Sequence, residues 1–216
     1  MSTKYNRTFH LPISPGTTSD DRIAKSVDNL LNRMLILGEK LDGENQGLNR
    51  PGVYARSHGA FTQNPWSVKS WELHQRIGRD IPEDMFIFGE NMYAIHSIEY
   101  HNLKSYFYMF GIRDKNTWLS WDEMEEYAYL LDIPMVPVLY KGVFSTAKEL
   151  YDKVEELVKQ PSRLGSDVME GCVVRVADSF DDSEFSTSVM KWVRKGHVQT
   201  DEHWTRNWKK AKINYV

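Results

Sequence analysis

Residues 34–45 read Met34-Leu35-Ile36-Leu37-Gly38-Glu39-Lys40-Leu41-Asp42-Gly43-Glu44-Asn45, and this stretch decides how the rest of the chain is interpreted. It opens with four apolar residues, which predict a short buried strand. Such a strand would bring Lys40 to the wall of a pocket, and Gly43 would let the backbone turn closely beside it. The alternative is an exposed lysine–aspartate turn between two strands, and the stretch alone leaves both interpretations open.

The composition is that of an ordinary globular protein. The chain has 216 residues, of which 41% are hydrophobic and 26% charged, and its net charge is −3. This size suits one domain with a sizeable core. The sequence has neither an apolar run of membrane-spanning length nor a signal-peptide core, so we expect no membrane contact. Cys172 is the single cysteine, which favours a reducing cytoplasm, or the host-cell cytoplasm if the protein is viral.

Helix and strand patterns follow one another without a regular repeat. Short apolar or aromatic runs predict strands at 34–37, 53–57, 85–89, 105–112, 168–176 and 187–193. Capping residues followed by apolar positions at helical spacing predict helices at 19–34, 64–77, 120–131 and 146–158. Residues 178–188 are expected to form a surface loop. Short strands around helices imply an α+β domain with largely antiparallel sheets flanked by helices.

Further downstream, residues with useful chemistry recur in five short runs. They read Y-A-R-S-H-G at 54–59, F-I-F-G-E at 86–90, S-Y-F-Y-M-F-G-I-R at 105–113, M-E-G-C-V-V-R at 169–175 and V-M-K-W-V-R-K at 189–195. Arg56 offers a rigid fork of donors to a phosphate, and Glu90 can accept hydrogen bonds from sugar hydroxyls. Phe110 offers a face for base stacking, and Glu170 is a possible magnesium ligand. Each alone also suits an ordinary surface or core position.

Taken with K-x-D-G-x-N at 40–45, these runs resemble the ordered motifs of the RNA-ligase branch of the covalent nucleotidyltransferases. The matches lie within about residues 35–204, so the resemblance implies a single RNA-ligase adenylyltransferase domain over residues 1–216. It implies that Lys40 attacks the α-phosphate of ATP and becomes lysyl-AMP. AMP would then pass to a 5′-phosphate on RNA, and a 3′-hydroxyl would seal the break. Because a protonated lysine is a poor nucleophile, we expect a lowered pKa for Lys40.

The resemblance also implies the remaining site residues. The nucleotide-binding set is Glu39, Asn45, Arg56, Glu90, Phe110 and Lys191. Among these, Glu39 would contact the adenine edge, Phe110 would stack on adenine and Glu90 would bind the ribose hydroxyls. Glu170 would bind Mg²⁺ or Mn²⁺. Further candidates are Asp42, Gly43, Arg194 and Lys195.

Two positions depart from the family pattern. Gly111 stands where some relatives have aspartate, so no acidic function is implied there. The fifth run has one lysine, Lys191, where many relatives have K-x-K, so Arg194 or Lys195 takes the second role or that role is absent. His197 and His203-Trp204 also resemble a subgroup of RNA ligases.

The C-terminal tail, about residues 196–216, is basic and aromatic. From residue 191 onward there are seven Lys or Arg residues against two acids, interleaved with Trp192, Trp204 and Trp208. This mixture suits phosphate contacts and base stacking. The alternative is a terminal helix whose tryptophans pack on the core. The flanks of the motifs are too short for an oligonucleotide-binding barrel, which favours a small RNA ligase or a ligase with a repair partner protein that supplies extra RNA binding.

Three other functions compete with ATP-dependent RNA ligation. They are a nick-sealing DNA ligase, a GTP-using capping guanylyltransferase, and a non-catalytic subunit that binds nucleic-acid ends. The presence of Lys40, Glu90 and Glu170 disfavours the last, because a binding subunit needs neither a nucleophile nor a metal ligand.

Overall fold

The computed structural model of the chain describes residues 4–56, 59–196 and 207–214. Its α-helices are α1 (Val68–Ile77), α2 (Trp121–Leu131), α3 (Ala147–Leu157) and α4 (Phe185–Ser188). Its strands are β1 (Phe9–His10), β2 (Met34–Lys40), β3 (Glu44–Asn49), β4 (Gly52–Ala55), β5 (Met85–Asn91), β6 (Ala94–Ile95), β7 (Phe107–Asp114), β8 (Thr117–Trp118), β9 (Val138–Val143), β10 (Gly171–Val176), β11 (Phe180–Asp181), β12 (Val189–Val193) and β13 (Lys209–Lys210). Short 3-10 turns lie at Asp28–Leu30, Pro65–Ser67 and Asp182–Glu184.

The described strands form two main sheets and a two-stranded ribbon. The five-stranded sheet has the order β1-β12-β10-β2-β9, and the six-stranded sheet has the order β11-β8-β7-β5-β3-β4. The ribbon pairs β13 with β6. In the described residues β1 and β12 run parallel, and the other strand pairs are antiparallel. The chain crosses from the first main sheet to the second between Lys40 and Glu44.

Strand β2 is buried on both faces, which explains its continuous apolar run. Every residue from Leu35 to Glu39 is buried. Leu35 and Leu37 belong to the same buried cluster as Leu150 and Val154 of α3. Each such side chain stabilises the fold by about 1.5–3 kcal/mol when it is removed from water. The alternating residues Ile36, Gly38 and Lys40 lie on the opposite face of β2.

The α+β prediction with antiparallel sheets is confirmed. Helices α2 and α3 begin at capping boxes made by Ser120 with Glu123 and by Thr146 with Glu149. The predicted strands and the helix that ends at Ile77 are present with bounds shifted by a few residues. No helix in the described part of the chain is long and apolar enough to cross a bilayer.

The predicted helix at 19–34 is wrong. Ile23 instead forms a parallel bridge with His10, and Met34 already belongs to β2. Asp21 accepts hydrogen bonds from the backbone and side chain of Thr18 rather than capping a helix. Pairing with β1 therefore outweighs helical spacing here, because propensity yields to tertiary contacts.

The predicted surface loop at 178–188 is also wrong. It contains β11, a 3-10 turn and α4. Phe180 and Phe185 are buried and contact the ring of Trp118. Phe180 and Phe185 are separated by acidic and hydroxyl residues, and this polar composition led to the prediction of a loop.

Strands β3 and β9 were not predicted from the sequence. Strand β3 reads Glu-Asn-Gln-Gly-Leu-Asn, which lacks the apolar and β-branched residues typical of strands. Its polar residues have specific locations: Glu44 and Asn45 line a cavity, and Gln46 is held in a buried hydrogen-bond network.

A substitution at Gly171 tests the close packing of β10 against β12. A Cβ at this position would collide with the carbonyl oxygen of Trp192, whereas a Cβ at Gly59 would meet no atom within 4 Å. We therefore expect Gly171→Ala to lower the free energy of unfolding by about 3 kcal/mol, measured by urea denaturation. Gly59→Ala is the matched control and should unfold like the wild type. Equal stability of the two variants would contradict the described β10–β12 packing.

Candidate active site

A cavity of about 480 Å³ is lined by residues of both main sheets. Most residues singled out from the sequence lie in its wall: Glu39, Lys40, Gly43, Asn45, Arg56, Glu90, Phe110 and Lys191. The structure therefore brings together residues that are up to 152 positions apart in the chain (from 39 to 191). Asp42, Glu170, Arg194 and Lys195 are not in this lining, although Glu170 contacts Lys40 directly.

The register of strands β2, β10 and β12 places Lys40 and Lys191 on the same side of the sheet. Lys40 of β2 is opposite Gly171 of β10, and Val173 of β10 is opposite both Gly38 and Lys191. Because side chains two apart share a face of a strand, Lys40 and Lys191 project from the same face of the sheet.

Lys40 forms an ion pair with Glu170 at the sheet surface. The Nζ–Oε2 distance is 2.6 Å, and the two side chains are 24% and 7% exposed. Burial lowers the pKa of Lys40, but the carboxylates of Glu170 and Glu90 more than offset this, and the net pKa lies above its ordinary value. The expectation of a lowered pKa is therefore wrong when only the protein's own groups surround the lysine. A charge pair this deep stabilises the protonated amine.

Glu90 lies next to this pair and carries an unusual carboxyl. Burial raises its pKa to about 8, although Lys40 opposes the shift. Its Oε1 accepts a hydrogen bond of 3.1 Å from the backbone N–H of Gly43. Asn45 is opposite Glu90 in the β3–β5 register, and the Asn45 Oδ1 is buried without a hydrogen-bond partner among the described residues. Both residues line the cavity.

Gly43 is required by the neighbouring strand. A Cβ at this position would lie 2.5 Å from the carbonyl oxygen of Asn91 and 2.9 Å from the sulfur of Met92. From the sequence, Gly43 was expected to let the backbone turn closely beside Lys40. The structure shows a second reason, which is close contact between the crossover and the end of β5.

Asp42 fastens a loop beside the cavity. Its Oδ2 accepts hydrogen bonds from the N–H of Ser97 at 2.8 Å, the hydroxyl of Ser97 at 2.6 Å and the N–H of Ile98 at 2.8 Å. The preceding residue, His96, lines the cavity, and burial lowers its pKa. Asp42 therefore orients its neighbours, and His96 is a site residue that the sequence motifs did not reveal.

Glu39 supplies a buried acceptor at another part of the wall. The residue is 1% exposed, and its Oε2 accepts a hydrogen bond of 2.9 Å from the N–H of Arg163. Its Oε1 has no hydrogen-bond partner within the described ranges. Burial raises the pKa of this carboxyl. A buried carboxylate in a cavity wall can accept a hydrogen bond from a ligand that reaches it.

Phe110 is half-buried and lies among other aromatic rings at the cavity wall. The ring of Tyr5 meets it edge-on with centroids 5.1 Å apart. A Cβ at Gly111 would lie 3.2 Å from the ring of Trp118, so the aspartate of some relatives would be crowded here. Tyr5 also lines the cavity, although its sequence position is far from any motif.

Arg175 lines the cavity as an arginine buried among neutral groups. Its Nη2 donates to the carbonyl of Leu119, and its guanidinium lies over the rings of Trp121 and Phe180. Burial lowers its pKa to about 10. The residue stands inside the M-E-G-C-V-V-R run, but no role for it was inferred from the sequence.

The fifth run contributes Val189 and Lys191 to the lining. The backbone N–H of Arg194 donates to the carbonyl of Glu170, and Lys195 is exposed. Ser57, His58, His197, His203 and Trp204 lie outside the described residues. In the tail, Trp208 is 6.2 Å from the ring of Trp66 and 5.7 Å from that of Tyr93. This part of the tail packs on the body, as the alternative interpretation expected, but as strand β13 rather than a helix.

The carboxylate of Glu170 suits a magnesium ion that is bound together with the phosphates of a substrate. The described residues contain no cluster of three or more His, Cys, Asp or Glu side chains that would form a complete metal site. Magnesium is commonly held by one or two carboxylates together with substrate phosphates. Glu170, a buried carboxylate that pairs with Lys40, meets that requirement.

Comparison with known proteins identifies relatives of this arrangement. A family model described as RNA ligase matches residues 33–193. No curated protein matches the chain.

Solved structures share the fold. A lysine-to-alanine mutant of the Naegleria gruberi RNA ligase with ATP and Mn superposes with a TM-score of 0.55 at 18% identity, covering 83% of this chain and 55% of that chain. Another mutant of the same ligase gives a TM-score of 0.59 at 15% identity, covering 92% and 62%. An archaeal ATP-dependent RNA ligase gives 0.53 at 15% identity, covering 79% and 45%. The chain therefore spans about half the length of the solved structures it resembles.

Removing the Asp42 carboxylate should release the loop that it fastens. In Asp42→Ala, the amides of Ser97 and Ile98 should exchange with solvent at least about tenfold faster, because hydrogen bonds to a charged group contribute about 1.5–3 kcal/mol. Hydrogen exchange followed by NMR measures this. Asp80→Ala, which removes an exposed carboxylate, is the control and should leave both amides protected. Unchanged exchange in Asp42→Ala would show that the three bonds do not hold the loop.

Proposed function

Since the chain belongs to the RNA ligase family, we propose that the protein is an ATP-dependent RNA ligase that forms lysyl-AMP at Lys40. The observation that supports this best is the 2.6 Å contact between Lys40 and Glu170 beside the cavity that Lys191 lines. A lysine, a buried carboxylate and a second cation are the groups that nucleotidyl transfer requires.

The cavity suits adenine better than guanine. Phe110 offers a ring for stacking, and Glu39 offers an acceptor without a partner in the described chain. Adenine carries an exocyclic amine that donates hydrogen bonds, whereas guanine has a carbonyl acceptor at the same ring position. A carboxylate acceptor therefore favours ATP and disfavours the capping guanylyltransferase alternative.

The proposed reaction has three steps. The Nζ of Lys40 attacks the α-phosphorus of ATP, a nitrogen–phosphorus bond forms, and pyrophosphate leaves. The 5′-phosphate of an RNA end then attacks the same phosphorus, which frees Lys40 and leaves AMP joined to the RNA through a phosphoanhydride. A 3′-hydroxyl finally attacks the 5′-phosphate, the phosphodiester forms, and AMP is released.

Lys40 must lose a proton before the first attack. Glu170, at 2.6 Å, is the carboxylate in direct contact with the amine, and its own pKa is raised by burial. A divalent ion such as Mg²⁺ or Mn²⁺ on Glu170 would neutralise charge at the α-phosphate and oppose the protonation of Lys40. Lys191 and Arg56 line the cavity near these groups and provide positive charge for the triphosphate.

RNA with 5′-phosphate and 3′-hydroxyl ends is the substrate that we propose. A repair partner protein that supplies extra RNA binding remains part of the proposal. A single domain over residues 1–216 and a cytoplasmic location stay predictions. A nick-sealing DNA ligase remains the second candidate, because the same three steps join DNA ends.

A sealing assay tests the proposed activity. With ATP and Mg²⁺, the wild type should join RNA that carries a 5′-phosphate and a 3′-hydroxyl, presented as a nicked duplex or as single strands. Lys40→Ala should lose sealing by at least about a thousandfold because it lacks the attacking amine. Lys159→Ala, which removes an exposed lysine beyond α3, is the matched control. Sealing by Lys40→Ala would refute the assignment, and sealing of DNA alone would favour the DNA ligase.

Glu39→Gln tests the choice of nucleotide. The amide oxygen of glutamine can still accept the hydrogen bond from Arg163, while its NH₂ replaces the free acceptor with a donor. We expect lysyl-nucleotide formation with ATP to fall by about tenfold or more and the ratio of GTP to ATP use to rise. Label transfer from the two α-³²P-labelled nucleotides measures both. An unchanged ratio would show that Glu39 does not read the base.

A further inference from the structure

The N-terminal segment lies along the strand that carries Lys191. Strand β1 runs parallel to β12, with His10 opposite Lys191, and the N–H of Leu11 donates to the carbonyl of Lys191. The segment then folds back, since the N–H of His10 donates to the carbonyl of Arg22 at 2.7 Å. These backbone hydrogen bonds bring Asp21, which is distant from β12 in the sequence, next to that strand.

Both carboxylate oxygens of Asp21 have defined neighbours. Its Oδ2 accepts hydrogen bonds of 3.0 Å from the N–H and the hydroxyl of Thr18. Its Oδ1 lies 3.2 Å from the Nε2 of His10 and 3.7 Å from the Nζ of Lys191. Thr18 thus fixes the rotation of the Asp21 carboxylate. Its Oδ1 is then directed at the imidazole of His10 and the ammonium of Lys191.

His10 connects this carboxylate to the backbone of β12. The ring is 1% exposed, and its Nδ1 lies 2.8 Å from the hydroxyl of Ser14. That hydroxyl accepts a hydrogen bond of 3.0 Å from the N–H of Val193. A neutral imidazole that carries its proton on Nε2 is consistent with these contacts, because Nδ1 then accepts from Ser14 and the protonated Nε2 lies beside the Asp21 carboxylate.

A counter-charge beside Lys191 is useful because this lysine shares the cavity wall with two other cations. Lys40 and Arg56 line the same cavity, and burial together with the charge of Lys40 lowers the pKa of Lys191. Asp21 opposes that shift. A lysine side chain also has many rotamers, so a fixed counter-charge beside its stem limits where the ammonium can lie.

We propose that Asp21, held by Thr18 and His10, is a positioning residue that keeps the Lys191 ammonium at the cavity for the phosphates of the nucleotide. The inference rests on the proposed function for the identity of that ligand. The role of Lys191 was predicted from its motif. The residues that position its side chain lie between His10 and Asp21, a stretch that matches no motif.

A double-mutant cycle tests the proposal. Lysyl-AMP formation by the full chain is measured against ATP concentration for the wild type, Asp21→Asn, Lys191→Met and the double variant. Asp20→Asn, which neutralises the adjacent exposed carboxylate, is the matched control. We expect Asp21→Asn to lower kcat/KM about tenfold, mainly by raising KM. The double variant should be no worse than Lys191→Met, because Asp21 acts only through Lys191.

The outcomes separate positioning from folding. A loss of folded protein lowers kcat and leaves KM unchanged, and thermal melting reports it directly. The proposal is overturned if Asp21→Asn matches Asp20→Asn, if the two substitutions are additive, or if Asp21→Asn is unfolded at the assay temperature. A wild type that forms no lysyl-AMP would instead overturn the proposed function, so the two failures are distinguishable.

Discussion

The buried ion pair between Lys40 and Glu170 is the constraint on which the site depends. Breaking such a pair leaves an uncompensated charge in a poorly solvated place, which is strongly destabilising. The pair therefore requires β2 and β10 to keep the register that sets Lys40 opposite Gly171. That register fixes the cavity face of β10, and through it the position of Lys191 on β12. Lys40 is thus held as a cation beside Glu170.

The crossover from Lys40 to Glu44 joins the two main sheets at this same point. Gly43 has no side chain because β5 lies against it, and Asp42 ties the crossover to residues 97 and 98. Residues 40–45 thereby supply both Lys40, the proposed nucleophile, and a connection that lines the cavity. This explains why a single stretch is informative about fold and function together.

The chemically distinctive residues were predictable, whereas the supporting ones were not. Lys40, Glu90, Phe110 and Glu170 stand in short runs whose spacing is local, so the sequence could indicate them. Tyr5, Asp21 and His96 reach the site through tertiary folding, and no local pattern marks them. The same reason explains the wrong helix at 19–34, where pairing with β1 outweighs helical spacing, and the missed strand β3, whose polar residues line the cavity or lie in a buried network.

The central claim is that Lys40 carries the nucleotide. Peptide mass spectrometry of the protein after incubation with ATP and Mg²⁺ measures this most directly. We predict that the peptide containing Lys40 gains the mass of one AMP and that no other peptide does. An AMP adduct on a different residue, such as Lys191, or the absence of any adduct on an active protein would contradict it.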